Sequence, residues 1–267
     1  FSAKIMVKVG QLNSKDFPAN KKYAIPLSIT GASNYSLIPS QRSAILLLNR
    51  SILSSVAKVS GGEGIRIKPV GMHTKAEWTI QMSAIYSSLT RSNLTTAYLS
   101  NGTGGEFYTR ISSTAGIQVK NGRDGDDTWT QTPLQAGKWL HITYVHKDKK
   151  TTVYVNGKVQ KVFENSAITF GENSMIVVGN SGYRNDYLRE IRLWDKALTE
   201  SEINDYLYLP MDPATPHLIS YLPLSKEMET KDLKAPAGTE NVTTKARIEY
   251  VENVKFPADE LVIVNQE

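Results

Sequence analysis

Glu106, Tyr108 and Arg110 alternate with Phe107, Thr109 and Ile111. On a strand, this spacing puts an acid, a phenol and a guanidinium on one face and an apolar row on the other. In the next stretch Gln118 and Lys120 share a face, with Ile117 and Val119 opposite. An aromatic plate beside planar polar groups and charged donors is the chemistry that holds a saccharide. The ring covers the apolar face of the sugar and the polar groups reach its hydroxyls. Two loops are placed to wall such a face: residues 121–130, with Trp129, and residues 180–187, with Tyr183, Arg184 and Asp186. The expected ligand-binding set is therefore Tyr108, Arg110, Trp129, Tyr183, Arg184 and Asp186. The plainer reading is a wet sheet face with ordinary loops. Function concentrates in loops, yet most loop residues carry none.

Other chemistry is thinly represented. Asp124-Gly125-Asp126-Asp127 offers carboxylates for calcium, with Asp124 and Asp126 as candidate ligands, but no glutamate closes an EF-hand. A solvated turn explains the same run. No other cofactor is expected. His73, His141, His146 and His217 are dispersed, and His141 and His146 fall on opposite faces of one strand, so they cannot chelate together. There is no phosphate loop or dinucleotide fingerprint, since the glycines at 102, 104 and 105 are followed by neither a helix nor a lysine.

Composition narrows the class. The chain has 267 residues, 40% hydrophobic and 21% charged, which excludes a disordered or membrane-spanning chain. The net charge of +5 is scattered, without a basic stripe interleaved with aromatics, so nucleic acid is not an expected partner. Cysteine is absent, which removes disulfides, thiolate metal sites and thiol nucleophiles.

The elements that must position these residues are strands. Residues 137–160 form the organising stretch. Trp139, Leu140, Ile142, Tyr144 and Val145 make one strand, residues 151–155 make the next, and Asn156-Gly157 turns the chain, since both residues tolerate positive φ. Leu140, Ile142 and Tyr144 face one way and Trp139, His141, Thr143 and Val145 the other. Neither set is polar, so this is a central strand covered on both sides. Shorter strands are predicted over residues 1–9, 23–30, 43–49, 65–68, 78–86, 96–99, 107–111, 116–119, 167–170, 175–178, 187–194, 217–224, 247–251 and 261–264. Residues 51–60 fit a strand or a short helix. One helix is predicted from Glu200, with Thr199 as N-cap, Glu202 closing a capping box and Pro210 stopping it. The glycines at 61, 62 and 64 mark a boundary. The expected fold class is all-β. A small N-terminal β-sandwich spans residues 1–68, and a larger jelly-roll β-sandwich with one short helix spans residues 69–267.

Trp139, His141, Ile142, Thr143 and Val145, followed by Val153, Tyr154, Val155, Asn156, Gly157 and Lys158, resemble the central hairpin of LamG-like, concanavalin A-like lectin/glucanase domains. Arg192, Trp194, Ala197, Leu198 and Glu202 are similar to that family's last long strand and appended helix. The resemblance covers about residues 73–224 and implies a concanavalin A-like jelly roll, often with one calcium at a loop rim. Many glucanases of this fold carry Glu-x-Asp-x-(x)-Glu on one strand. Here the nearest stretch runs from Glu190 through Arg192 to Asp195, with arginine at the middle acid. Paired carboxyls are thus missing, Glu190 reads as a partner for an arginine, and the protein is expected not to be an enzyme. Residues 23–31 and 43–49 resemble an N-terminal domain of unknown function from Bacteroidetes surface lipoproteins. Together these resemblances imply an exported outer-membrane lipoprotein, anchored by lipid upstream of Phe1, that binds a glycan or glycoprotein beside other glycan-uptake proteins. The alternatives are a structural or adhesion module and a glycoside hydrolase with unrecognised acids.

Overall fold

The computed structural model describes residues 6, 8, 10, 17, 23–34, 36–48, 51–62, 64–71, 75–89, 95–98, 107–120, 126–164, 167–171, 174–179 and 183–265, with the backbone alone for 95–98, 126, 183 and 184. It divides into two compact units, residues 1–50 and residues 51–267.

In the first unit, β1 (Tyr23–Ser28) pairs antiparallel with β2 (Ser43–Leu48). Ile45 and Leu47 of β2 are exposed. The strand expected over residues 1–9 lies largely outside the described residues, so the sandwich expected here is represented by these two strands.

The second unit begins with β3 (Ile52–Gly61), β4 (Ile65–Ile67), β5 (Trp78–Ile85), β6 (Thr95–Tyr98), β7 (Phe107–Ser112) and β8 (Gly116–Lys120). The central hairpin follows as β9 (Trp139–Lys147), β10 (Lys150–Val155) and β11 (Lys158–Glu164). Then come β12 (Met175–Val178), β13 (Tyr183–Trp194), α1 (Glu200–Asp205), β14 (Leu218–Leu222), β15 (Val242–Thr243) and β16 (Arg247–Phe256). An eight-stranded sheet runs β11-β10-β9-β5-β13-β3-β16, with β14 also on β13, and a six-stranded sheet runs β15-β4-β12-β6-β7-β8. All the pairings are antiparallel.

The division between units falls after Arg50, not after residue 68 as the glycine cluster suggested. The reason is β3, which fits neither a helix nor the N-terminal unit. It lies between β13 and β16 inside the larger sheet. The glycines at 61, 62 and 64 mark the crossing from one sheet to the other.

The sheets meet across a single core. Trp78, Ile80, Met82 and Ala84 of β5, with Leu140, Ile142 and Tyr144 of β9, pack with Phe107 and Ile111 of β7 and Ile117 and Val119 of β8. Trp78 meets Phe107 and Phe170 edge-on at 5.1 Å each, and Phe107 meets Tyr144 at 5.2 Å. Each such aromatic pair adds about 0.5–1.5 kcal/mol beyond its buried area. Tyr144 donates across the sheets to Thr109 Oγ1 at 3.3 Å.

The other face of β9 is covered by the chain itself. Val145 packs with Trp194, Leu198, Ile203 of α1, Met211, Leu218 and Tyr221. The capping box on α1 is formed in both directions between Thr199 and Glu202. Among the described residues no helix is long and apolar enough to cross a membrane.

Candidate functional site

Tyr108 and Arg110 project from the outer face of β7, because Phe107, Thr109 and Ile111 alternate into the core. The register places Lys120 directly across from Tyr108 and Gln118 across from Arg110. Tyr108, Arg110 and Lys120 are half-buried, while Gln118 is buried. Arg110 Nε donates to the Tyr108 hydroxyl at 2.8 Å, and its guanidinium carbon lies 5.3 Å from the ring centroid. Lys120 Nζ lies 5.9 Å from the same centroid. The tyrosine therefore carries two cations, within the distance at which a ring quadrupole attracts them.

Trp129 is brought to the edge of this face. It bridges antiparallel to Gln118, and Thr130 N donates to Ile117 O at 2.9 Å. The residue that allows this close approach is Gly116, at φ +80°. A Cβ there would stand 2.2 Å from Thr130 Oγ1 and 2.4 Å from Thr132 O. From the other sheet, Lys161 Nζ donates to Asp127 O and Trp129 O, both at 2.7 Å, and fixes the segment. Gln118 Nε2 donates to Thr128 Oγ1 at 2.8 Å, and its Oε1 has no partner among the described residues. Neither Lys161 nor Thr128 stands out in the sequence. Both act across long sequence separations that no local pattern announces.

The remaining sequence-predicted residues are elsewhere. Tyr183 and Arg184 begin β13 in the eight-stranded sheet, opposite Gly61 and Ser60 of β3. They are strand residues rather than loop residues. Asp186 is not a ligand-facing acid. It is fully buried on β13, and its Oδ1 accepts from Ser87 N at 2.9 Å and Ser87 Oγ at 3.1 Å. The carboxylate fixes the chain where it leaves β5. Asp124 lies outside the described residues, and Asp126 opens the short 3-10 turn Asp126–Thr128. Among the described residues no group of three or more His, Asp or Glu is placed to hold a metal ion.

The acidic stretch on β13 is structural, as its sequence suggests. Glu190 is buried and accepts from Arg192 Nη2 at 2.5 Å, Arg189 Nη2 at 3.4 Å and the Tyr221 hydroxyl at 3.0 Å. Both arginines also donate to backbone carbonyls, Arg189 to Tyr208 at 2.9 Å and Arg192 to Tyr206 at 3.0 Å. The cluster clamps the segment after α1 over the sheet. Burial and the neighbouring Glu190 push the Tyr221 phenol up. Asp195 binds His217 Nδ1 at 2.9 Å and Lys75 at 3.5 Å in the turn beyond β13, so it forms no acid pair with Glu190.

One serine–histidine contact occurs, Ser83 Oγ to His141 Nδ1 at 2.7 Å. Burial first, then the Arg189 and Arg192 charges, push the His141 pKa down to about 3. A general base needs a pKa near the working pH and an orienting acid. No carboxylate among the described residues bonds this ring. His141 is a packed, neutral side chain stacked on Trp139.

Fold and site together define a two-sheet antiparallel sandwich with a polar, tyrosine-bearing outer face on its smaller sheet. Residues 60–204 match the family model described as the concanavalin A-like lectin/glucanases superfamily, and the chain belongs to that superfamily. Among solved structures, a "putative carbohydrate binding protein" from Bacteroides ovatus superposes with a TM-score of 0.60 at 18% identity, covering 92% of this chain and 72% of that one. A heptameric SAP-like pentraxin from Limulus polyphemus gives a TM-score of 0.49 at 13% identity, over 75% of this chain and 94% of that one. A sialidase from Trypanosoma rangeli gives 0.42 at 16%, over 56% of this chain and 26% of that one. No curated protein matches the sequence.

Proposed function

We propose that this chain binds glycans without cleaving them, at the outer face of β7 and β8. The observation that carries the reading is the register, which sets the half-buried Tyr108, Arg110 and Trp129 on the same outer face of the smaller sheet. The outer face of the larger sheet around Val145 and Trp194 is covered by α1 and its flanking segments. Membership of a lectin/glucanase superfamily supports the reading, as does the fold shared with the Bacteroides ovatus protein. The structural roles of Glu190 and Asp195 favour binding over hydrolysis.

The protein works at the surface of the cell envelope, exported and held by a lipid anchor, beside other proteins of glycan uptake. The resemblance of residues 23–31 and 43–49 to surface lipoproteins supports this placement. Calcium ligation by Asp124 and Asp126 remains part of the proposal. A glycan array probed with the protein, with and without calcium, tests both points. Binding to one glycan class supports the reading, and dependence on calcium supports the metal. No binding to any glycan overturns it in favour of an adhesion module, for which the exposed Ile45 and Leu47 of β2 would be the contact.

A further inference from the structure

We infer that the ligand is held by an anionic group, a carboxylate or a sulfate ester on the saccharide, bound end-on by Arg110. This rests on the reading of the β7–β8 face as a glycan site and specifies its chemistry.

A neutral sugar is best held by an aromatic ring with an open face. The Tyr108 ring instead has a guanidinium 5.3 Å and an ammonium 5.9 Å from its centroid. Its quadrupole is engaged in gathering cations, and the positive charge gathered beside it favours an anionic group over a neutral one. The phenol oxygen has the same effect. It accepts from Arg110 Nε at 2.8 Å, which fixes the guanidinium plane and leaves the two terminal nitrogens pointing onward. Those nitrogens have no hydrogen-bond or ion-pair partner among the described residues. Two parallel N–H donors at a fixed spacing match the two oxygens of a carboxylate or sulfate, and a guanidinium held in place loses little freedom on binding.

The register adds to this. Lys120 lies across from Tyr108 on β8, so two cations flank the ring. The neighbouring cation, Lys161, is committed to the carbonyls of Asp127 and Trp129 and serves to hold the wall. The buried Gln118 Oε1, on the cross-strand neighbour of Arg110, is an acceptor without a partner among the described residues. Extended polyanions such as nucleic acid call for a longer run of cations than this compact pair.

The test measures binding of the full chain to polygalacturonate (carboxylated), dextran sulfate (sulfated), a panel of neutral polysaccharides and a DNA duplex. Expected is binding to one or both anionic polysaccharides, the arm that binds naming the anion. Affinity should fall roughly tenfold or more in Arg110→Gln, the loss typical of one charge-assisted bidentate contact. Arg110→Lys should recover only part of it, and Tyr108→Phe should weaken binding by releasing the guanidinium. Thermal melting confirms that each variant is folded, and Arg110→Lys stands in if Arg110→Gln is not. Equal binding to neutral polysaccharides, unaffected by these variants, overturns the anionic inference and leaves the glycan reading intact. Binding to none of the polysaccharides overturns the glycan reading itself. Equal affinity for DNA reduces the site to a general polyanion contact and overturns the inference.

Discussion

Glu190 is the residue on which most of the buried charge depends. One carboxylate stands between two guanidiniums that are themselves buried, and the Nε atoms of Arg189 and Arg192 already lack partners among the described residues. Glu190→Gln would leave two buried cations without their counter-charge. Breaking a buried pair from one side costs about 3–5 kcal/mol. Urea denaturation should show a loss of that size, and a loss near zero would mean the cluster is hydrated rather than dry. The packed histidines give a second residue-scale outcome. His146 Nδ1 contacts Thr151 Oγ1 at 2.9 Å, and its Nε2 accepts from Ile168 N at 3.2 Å, so the ring is held neutral. Burial lowers its pKa to about 4, and His141 is lowered to about 3. Unfolding restores an ordinary value near 6.5, so below that pH the unfolded chain binds more protons than the folded one. Stability should therefore be complete above pH 6.5 and decline as the pH falls toward 4. The slope is at most ~1.4 kcal/mol per pH unit for each ring. Urea midpoints at pH 7 and pH 4.5 measure it, and equal midpoints would contradict it.

At the scale of elements, the turn between β10 and β11 is the most constrained point. Asn156 and Gly157 take φ of +51° and +76°, as a type I′ turn requires. A Cβ on Gly157 would also stand 2.0 Å from Asn204 Oδ1 of α1. Gly157→Ala thus combines a strained φ with a displaced Asn204 side chain, whose Nδ2 donates to Gly157 O, and should cost more than the ~1 kcal/mol of a glycine change in open space. Thr199→Ala, which removes one half of the capping box, should cost about 1 kcal/mol. Thermal melting of the two variants should rank them in that order. These two features were legible in the sequence because each is local, a turn dipeptide and a cap with its partner three residues on. The alternation of β7, β8 and β9 was legible for the same reason, and it placed Tyr108 and Arg110 on their face. What was not legible depends on pairing between distant segments. Tyr183–Asp186 read as a loop because its strand character comes from β3, far away in sequence. Asp186 read as an exposed acid because nothing local reveals Ser87. β16 is longer than the expected 247–251, continuing to Phe256 along β3 through a register shift between Val251 and Val254.

At the scale of the whole molecule, the position of β3 decides how the chain can be divided. It is the inner neighbour of β16, and β16 carries Phe256, which packs on Trp139 at 5.0 Å and lies under Arg189 at 4.1 Å. Removing β3 would leave β16 without its partner strand and open the first half of β13, uncovering the Arg189–Glu190 cluster and the centre of the larger sheet. A chain starting at Pro69, the boundary suggested by the glycine cluster, should therefore fail to fold cooperatively. A chain starting at Ser51 keeps both sheets, the shared core and the β7–β8 face. It should melt in one transition and bind saccharide as the full chain does, because Tyr108, Arg110, Lys120 and Trp129 are all positioned within it. Calorimetry and saccharide titration on the two truncations separate the possibilities. If the Pro69 chain folded and bound normally, β3 would be an ornament of the sheet. If the Ser51 chain folded but lost binding, residues 1–50 would have to supply part of the site, and the β7–β8 face would be only a fraction of it.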